Sequence, residues 1–154
     1  MARASTAKAT DNFEELADGD LENLLGFHLR MANVAIYRDF ATAMTKLELT
    51  QRQAATLALI EANPGTPQVA IAARLGSDRA TIMAMVDRLE QRGLITRTRS
   101  LSDRRRQELF LTPLGQKVCK DAKKLITEHE SRFTSLFSAD ELKALFTALK
   151  RIHG

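Results

Sequence analysis

The chain has 154 residues, of which 44% are hydrophobic and 27% are charged, and its formal net charge is +4. This length suits one domain with a sizeable core rather than two large domains. No apolar stretch reaches the roughly 18 residues of a membrane span, and the N-terminus lacks the apolar segment of a secretory signal. We therefore expect a cytoplasmic protein without a membrane segment.

The first predicted elements are a long helix and a shorter one. After Asp18-Gly19-Asp20, apolar residues recur at helical spacing as far as Lys46, which predicts the first helix. Thr50 and Gln53 have the spacing of a capping box, in which the hydroxyl and the amide satisfy unpaired backbone N–H groups. A second helix is therefore expected to run to about Ala62.

Two short helices are predicted next. Gly65 should make a turn, with Thr66 as the N-cap of a helix over 67–75 that begins at a proline. Ser77 is then placed to cap a helix over 78–92. Two helices joined by a short turn that contains glycine form the helix-turn-helix pattern. The second of them should bury one apolar face, made of Ile82, Met85, Val86 and Leu89.

The remaining elements are a hairpin and two helices. The β-prone segments 94–99 and 107–111 predict a β-hairpin with its tip at 100–106, which is the wing of a winged helix-turn-helix. Thr112-Pro113 should start a fifth helix that ends near Phe137. A second capping box should open the sixth helix, and its residues are Ser138 and Glu141.

These elements predict a mainly α fold with a small β-hairpin wing. We expect a flexible tail over 1–19 and a single domain over 20–154, with the winged helix-turn-helix at 47–111. The flanking helical segments, 20–46 and 112–154, carry more apolar surface than so small a lobe can cover. A two-fold symmetric homodimer would bury this surface, so both segments are predicted to be dimerisation helices.

The positive charge of the chain is concentrated in one segment. Residues 70–110 contain nine basic and five acidic residues, a difference of +4, whereas the rest of the chain has fourteen of each. All nine basic residues are arginine, whose rigid fork of donors suits phosphate and groove contacts. A solvated turn is the alternative interpretation of the three consecutive arginines at 104–106.

Two motifs then resemble the MarR family of bacterial and archaeal winged-helix regulators over roughly residues 20–150. The first is VDRLEQRGLITR at 86–97, and the second is DRRRQELFLTPLG at 103–115. The family pattern D-x-R…L-T-x-x-G is matched by Asp103, Arg105, Leu111, Thr112 and Gly115. The resemblance implies a homodimer, joined through its terminal helices, that binds a pseudo-palindromic operator in double-stranded DNA and usually represses transcription. Many members release DNA when a small phenolic or anionic ligand binds between the dimerisation helices and the DNA-binding lobe.

The resemblance also implies roles for the wing tip. Arg105 corresponds to the residue that enters the minor groove, where narrow A·T-rich stretches concentrate negative potential. Asp103 would orient Arg105 through an ion pair. Arg104 and Arg106 would contact the flanking phosphates.

The recognition-type helix should place its N-terminal half in the major groove. The predicted base-facing residues are Arg79, Thr81 and Ala84, and the predicted phosphate contacts are Ser77 and Arg88. Arg79 could pair with guanine, and Thr81 could contact a thymine methyl or a phosphate. Family members often have polar or basic residues where this chain has Met83 and Ala84, so apolar contacts and DNA shape should contribute more here. For Asp87 we favour a structural ion pair with an arginine over a base contact.

The sequence argues against a catalytic site, a zinc site and a redox-active cysteine. The sequence has no nucleophile elbow, phosphate loop or metal motif, so no catalytic residues, cofactor or enzymatic activity are predicted. A zinc site is disfavoured because the four candidate ligands lack ligand spacing, and these are His28, Cys119, His129 and His153. Cys119, the single cysteine, is interpreted as a buried structural residue rather than a peroxide sensor.

The effector site is expected on the first helix. His28 lies at the border of its apolar stripe and Arg38 lies about three turns further on, so they could orient a small aromatic or anionic ligand. A core histidine and a solvated arginine are the alternative. Two other functions stay open: a ligand-independent or architectural DNA-binding protein of the same fold, and a winged-helix module that binds proteins.

Overall fold

The computed structural model describes residues 19–100 and 107–154, and six α-helices and one β-hairpin make up most of this part of the chain. The helices are α1 (Leu25–Ala43), α2 (Gln51–Ala62), α3 (Gln68–Arg74), α4 (Arg79–Gln91), α5 (Pro113–Thr134) and α6 (Ala139–His153). The strands are β1 (Ile95–Arg99) and β2 (Gln107–Leu111), and Gly19–Asn23 and Thr45–Leu47 form short 3₁₀ helices. Within these residues, no helix combines the length and the apolar character needed to cross a membrane.

The chain divides into two units after Val34, within α1. The described part of the first unit holds the 3₁₀ helix Gly19–Asn23 and the start of α1, so the prediction of one continuous helix from residue 20 is wrong. The His28 ring nitrogen Nε2 lies 2.7 Å from the Glu22 carbonyl oxygen. The imidazole thus gives this carbonyl the hydrogen-bond partner that the backbone of a continuous helix would have supplied.

The first helix also ends earlier than predicted. α1 stops at Ala43, and the 3₁₀ helix Thr45–Leu47 continues the chain to Glu48. Glu48 has a φ of 49°, in the left-handed region that ends helices.

The core lies in the second unit, and every helix from α2 to α5 contributes to it. Its largest apolar side chains are fully buried, and each stabilises the fold by about 1.5–3 kcal/mol relative to exposure. These are Met44, Leu57, Ile60, Ile71, Ile82, Leu89, Ile95 and Leu109. The apolar face predicted for α4 is confirmed, since Ile82, Met85, Val86 and Leu89 are all buried.

Local capping signals in the sequence are confirmed by hydrogen bonds. The Gln53 backbone N–H donates to the Thr50 hydroxyl at 3.2 Å, and the Thr50 N–H donates to the Gln53 amide oxygen at 2.9 Å. Ser138 and Glu141 form the second box in the same way. α5 begins as predicted, but it ends at Thr134 rather than near residue 137.

Two predicted helix starts are displaced by one residue. The Thr66 carbonyl accepts the Leu109 N–H at 3.1 Å, so Thr66 pairs with β2 and the cap of α3 moves to Pro67. The cap of α4 is Asp78 rather than Ser77, because the Asp78 carboxylate accepts the Thr81 N–H at 2.8 Å. The Ser77 hydroxyl instead donates to the Leu75 carbonyl at 3.4 Å.

The predicted hairpin is confirmed. β1 and β2 are antiparallel, with Ile95 opposite Leu111 and Arg99 opposite Gln107. The Gly65 N–H donates to the Leu109 carbonyl at 2.9 Å, so the turn before α3 pairs with the middle of β2. The hairpin is thereby attached to the helix-turn-helix.

Candidate nucleic-acid interface

The exposed face of α4 presents most of the predicted DNA contacts. Arg79, Ala84 and Arg88 are exposed, while the opposite side of the helix is buried in the core. Met83 is 50% exposed beside them. A helix that offers two guanidinium groups and two small or flexible apolar side chains on one face has the composition of a major-groove reader.

Thr81 and Ser77 are less available than the sequence suggested. Thr81 is half-buried, and its hydroxyl donates to the Asp78 carboxylate at 2.6 Å. This hydroxyl, followed by backbone hydrogen bonds, holds the pKa of Asp78 below its usual value. Since the hydroxyl proton is already donated, a contact of Thr81 with DNA would use its methyl group or an oxygen lone pair.

Two arginines of the basic segment are internal anchors rather than free cations. Arg97 on β1 forms an ion pair with Asp87 on α4, which confirms the structural ion pair predicted for Asp87. The Arg97 Nε atom also lies 3.2 Å from the Glu90 carboxylate. These contacts join the wing to the recognition-type helix, so the two elements are held together as one surface.

Arg92, the C-cap of α4, anchors the same C-terminal end of the helix to another part of the chain. Its guanidinium donates to the carbonyl oxygens of Glu48 and Leu47, at 2.8 Å each. The helix is thus tied to the segment that follows α1. The charge pattern of the sequence did not distinguish Arg92 from the arginines of the exposed face, because its partners lie more than forty positions away in the chain.

The junction between the wing and α5 explains the L-T-x-x-G part of the family pattern. The Thr112 hydroxyl donates to the Gly93 carbonyl at 2.6 Å and accepts the Gly115 N–H at 2.9 Å. A Cβ atom at Gly115 would overlap the carbonyl group of Leu94. Thr112 and Gly115 therefore fix the angle at which the hairpin meets α5.

The predicted wing-tip contacts cannot be located, because Asp103, Arg104, Arg105 and Arg106 lie outside the described residues. Arg99 and Gln107 are the last pair of the ladder, and both are exposed. Only seven residues separate them, so the three arginines belong to the connection that joins the two strands.

The two predicted ligand-binding residues are both exposed. His28 binds the Glu22 carbonyl within the first unit, and its ring meets Phe27 edge to face with centroids 5.7 Å apart. The alternative interpretation of His28 was a histidine of the core. His28 does have a backbone partner, but it is exposed and is not a core residue. Arg38 lies in the second unit and forms no ion pair among the residues that the structure describes.

Cys119 has the environment of a structural cysteine. Its side chain is 2% exposed, and its thiol donates to the Glu61 carboxylate at 3.3 Å. Burial, together with Glu61, raises the pKa of the Cys119 thiol to about 11. Few molecules therefore carry the reactive thiolate near neutral pH.

Sequence reasoning missed a polar cluster between α1 and α5. His129 is 1% exposed, and its Nδ1 atom lies 2.6 Å from the Asp39 carboxylate, which also accepts from Arg132 at 2.5 Å. The rings of Phe40 and Phe133 meet the imidazole edge to face, with centroids 5.5 and 5.3 Å away. In the described ranges, no three His, Cys, Asp or Glu residues are arranged to hold a metal ion.

Comparison with known proteins identifies the family. Residues 49–106 match the family model of the MarR family. A putative transcriptional regulatory protein for the hcr operon of Thauera aromatica is 35% identical over 146 residues, which cover 94% of this chain and 88% of that protein.

Two solved structures are similar over nearly the whole chain. The transcriptional repressor CouR bound to a 23-mer DNA duplex is 43% identical with a TM-score of 0.86, and the alignment covers 91% of this chain and 99% of that one. CouR bound to p-coumaroyl-CoA is 41% identical with a TM-score of 0.83, over 90% and 98% of the two chains. The predicted fold class is confirmed, and these relatives are regulators rather than enzymes. The chain belongs to the MarR family of winged helix-turn-helix transcriptional regulators.

Proposed function

We propose that the chain is a homodimeric repressor that binds a pseudo-palindromic DNA operator and leaves it when an aromatic, anionic ligand binds. The observation that supports the proposal most directly is that α4 buries one face and exposes Arg79, Ala84 and Arg88 on the other. The hairpin lies beside this helix, and three arginines occur in the sequence that connects its strands. The structures of CouR with a DNA duplex and with p-coumaroyl-CoA support both halves of the proposal.

In this proposal α4 lies in the major groove. Arg79 pairs with a guanine, and Ala84 together with Met83 makes apolar contacts with thymine methyl groups. Arg88 and Ser77 bind phosphates and fix the register, while Thr81 offers its methyl group. The Arg97 and Arg92 contacts hold the helix in the orientation that this docking needs.

The wing supplies the minor-groove contact. Arg105 enters the groove, Asp103 orients it, and Arg104 and Arg106 bind the adjacent phosphates. The described part of the hairpin suits this role, because its short antiparallel ladder is attached to the turn before α3 and, through Arg97, to α4.

The dimer is proposed to form through 20–46 and 112–154, with 47–111 as the DNA-binding lobe and 1–19 as a tail. Large apolar side chains are exposed in both terminal segments, and a partner subunit would bury them. In the first segment they are Leu21, Leu24, Leu25, Leu29, Met31 and Tyr37. In the second they are Leu114, Leu136, Phe137, Leu145, Phe146 and Ile152.

The effector is proposed to be an aromatic acid or its coenzyme A thioester, as the ligand of CouR combines an aromatic ring with negative charge. His28 and Arg38 are the candidate contacts on the first helix, through ring packing and an ion pair respectively. We also propose a cytoplasmic location, in keeping with binding to DNA. A ligand-independent regulator of the same fold is the alternative.

Fluorescence anisotropy with DNA from the region upstream of this gene tests the proposal. The protein should prefer this duplex to a scrambled one of equal length, and log K should fall with log salt by about 0.9 for each phosphate contact. Equal affinity for both duplexes, or a flat salt titration, would overturn it.

The effector is tested on the preformed complex. p-Coumaroyl-CoA should release the duplex, whereas coenzyme A at the same concentration should not. If aromatic acids and their thioesters all leave the affinity unchanged, the ligand-independent alternative is correct.

A further inference from the structure

A cavity of about 300 Å³ lies between the two helices of the helix-turn-helix. α3 contributes Gln68, Val69 and Ala72 to its walls, and α4 contributes Arg79 and Ile82. Ala72 and Ile82 are buried at one side of the cavity, whereas Val69 and Arg79 are exposed at the other. The cavity therefore opens beside the face of α4 that is proposed to bind DNA.

Gln68 places an unpaired polar atom in this cavity wall. Its carbonyl oxygen Oε1 is buried and accepts no hydrogen bond from any described residue. Two other buried side-chain atoms in the described part of the chain lack a hydrogen bond, Arg97 Nε and His129 Nε2. Each of these two has a carboxylate oxygen nearby, at 3.2 and 3.8 Å respectively. A buried acceptor without a partner lowers stability, so the presence of Gln68 needs a reason other than stability.

Arg79 lines the same cavity and has hydrogen-bond donors to spare. It is exposed and forms no ion pair or side-chain hydrogen bond with a described residue. The neighbouring Asp78 carboxylate is occupied by the N–H and the hydroxyl of Thr81, at 2.8 and 2.6 Å. A guanidinium has five N–H donors, and bidentate pairing with guanine uses two of them. Arg79 therefore keeps donors for a protein acceptor while it binds a base.

We propose that Gln68 is a positioning residue for Arg79. When α4 lies in the major groove, the Gln68 carbonyl accepts a hydrogen bond from the Arg79 guanidinium and holds this group in the plane of a guanine. The two side chains are not hydrogen-bonded in the free chain, and the cavity gives Arg79 the room to move between its free and bound positions. Fixing a long side chain in one orientation sharpens discrimination between bases. This inference rests on the proposed function, and it adds that α3 as well as α4 determines base specificity.

Base discrimination is measured by fluorescence anisotropy with the upstream duplex, in which each guanine is replaced in turn by 7-deazaguanine. This base pairs with cytosine as guanine does but lacks the N7 acceptor. The wild type should lose roughly tenfold in affinity at the guanine that Arg79 binds, and Arg79→Ala should show no such loss. In Gln68→Leu the loss should shrink to about threefold, because one hydrogen bond to the guanidinium is missing.

Two further variants separate positioning from a structural role. Gln68→Glu keeps an oxygen acceptor, so its loss at that guanine should stay near tenfold, although the added negative charge weakens binding to every duplex. Gln91→Leu is the matched control, because Gln91 is exposed on α4 about 18 Å from Arg79 along the helix, and it should discriminate as the wild type does. Gln68→Leu should melt at or above the wild-type temperature, since it removes an unpaired buried acceptor.

The outcomes distinguish this inference from the proposed function. A tenfold loss that persists in Gln68→Leu and is absent in Arg79→Ala would refute the positioning role and leave the proposed function intact. The same reduced loss in Gln68→Leu, Gln68→Glu and Gln91→Leu would also refute it, because the effect would not depend on the acceptor. A wild type that tolerates 7-deazaguanine at every position would refute both the guanine contact of Arg79 and its positioning by Gln68. Equal wild-type affinity for the upstream and scrambled duplexes would overturn the proposed function itself, and this inference with it.

Discussion

The backbone of Gly115, in the first turn of α5, lies directly against the carbonyl group of Leu94. A Cβ atom at Gly115 would lie 2.9 Å from the Leu94 carbonyl carbon and closer still to the oxygen. Neither backbone can move without disturbing the Thr112 hydrogen bonds at the same junction.

Gly115→Ala should therefore destabilise the protein by about 3 kcal/mol, because overpacking against backbone forces the hairpin away from α5. Urea denaturation of the variant and the wild type measures the difference. Gly26→Ala in α1 is the control and should not destabilise the protein. Among the described residues, nothing outside the adjacent helix backbone lies within 4 Å of a Cβ there, and alanine favours helix by about 1 kcal/mol. Equal stability of Gly115→Ala and the wild type would show that the contact is not tight.

The Cys119 thiol of the native protein should react slowly with alkylating reagents. With a pKa of about 11, the thiol of the native protein carries about a hundredfold less thiolate at about pH 8 than an ordinary cysteine. Alkylation by iodoacetamide, followed by mass spectrometry, should be slow in the native state and fast in urea. Similar rates in both states would revive the redox interpretation.

Asp39 should make stability depend on pH. The hydrogen bond with His129, followed by the contacts with Arg132, holds the pKa of Asp39 below its ordinary value. A lowered native pKa means that this stabilisation is present above about pH 4 and is lost as the pH falls through the lowered pKa. Asp39→Asn should consequently reduce the free energy of unfolding more at about pH 7 than at about pH 3.

Glu128→Gln is the matched control for Asp39→Asn, since Glu128 is exposed on the same helix as His129 and has no ion pair among the described residues. It should change stability little at either pH. A loss of stability for Asp39→Asn that is the same at both pH values would mean that its charge is not what stabilises the cluster.

The contact between α4 and the wing is measured by a double-mutant cycle. Asp87→Ala and Arg97→Ala should each destabilise the protein, and the double variant should lose less than the sum, with a coupling of about 0.5–1 kcal/mol. We expect this modest value because the Asp87 side chain is 45% exposed. Strict additivity would show that the ion pair does not join the two elements.

Features carried by neighbouring residues could be predicted from the sequence. Both capping boxes and the two strands of the hairpin depend on residues a few positions apart, and the structure has them as expected. The starts of α3 and α4 were displaced by one residue for two reasons. Thr66 pairs with Leu109 across the fold, and Asp78 competes with Ser77 for the cap.

Features carried by distant residues could not be predicted. His129 lies on α5 and its partner Asp39 lies on α1, ninety positions away in the chain, so sequence spacing could not pair them. The same holds for Arg92, whose partners Leu47 and Glu48 are more than forty positions away, so the charge pattern did not distinguish it from the DNA-facing arginines. The family motif made one contact between distant residues predictable. Its Thr112 and Gly115 are the residues that pack and hydrogen-bond where the wing meets α5.

The central claim, that the arginine tip of the wing and the exposed face of α4 bind DNA together, is tested most directly at Arg105. Arg105→Ala should weaken binding to the operator duplex roughly tenfold or more, as expected for the loss of a groove contact. Lys143→Ala removes one positive charge from the exposed surface of α6 and should leave the affinity nearly unchanged. Equal affinities of the two variants in a gel-shift titration would contradict the account.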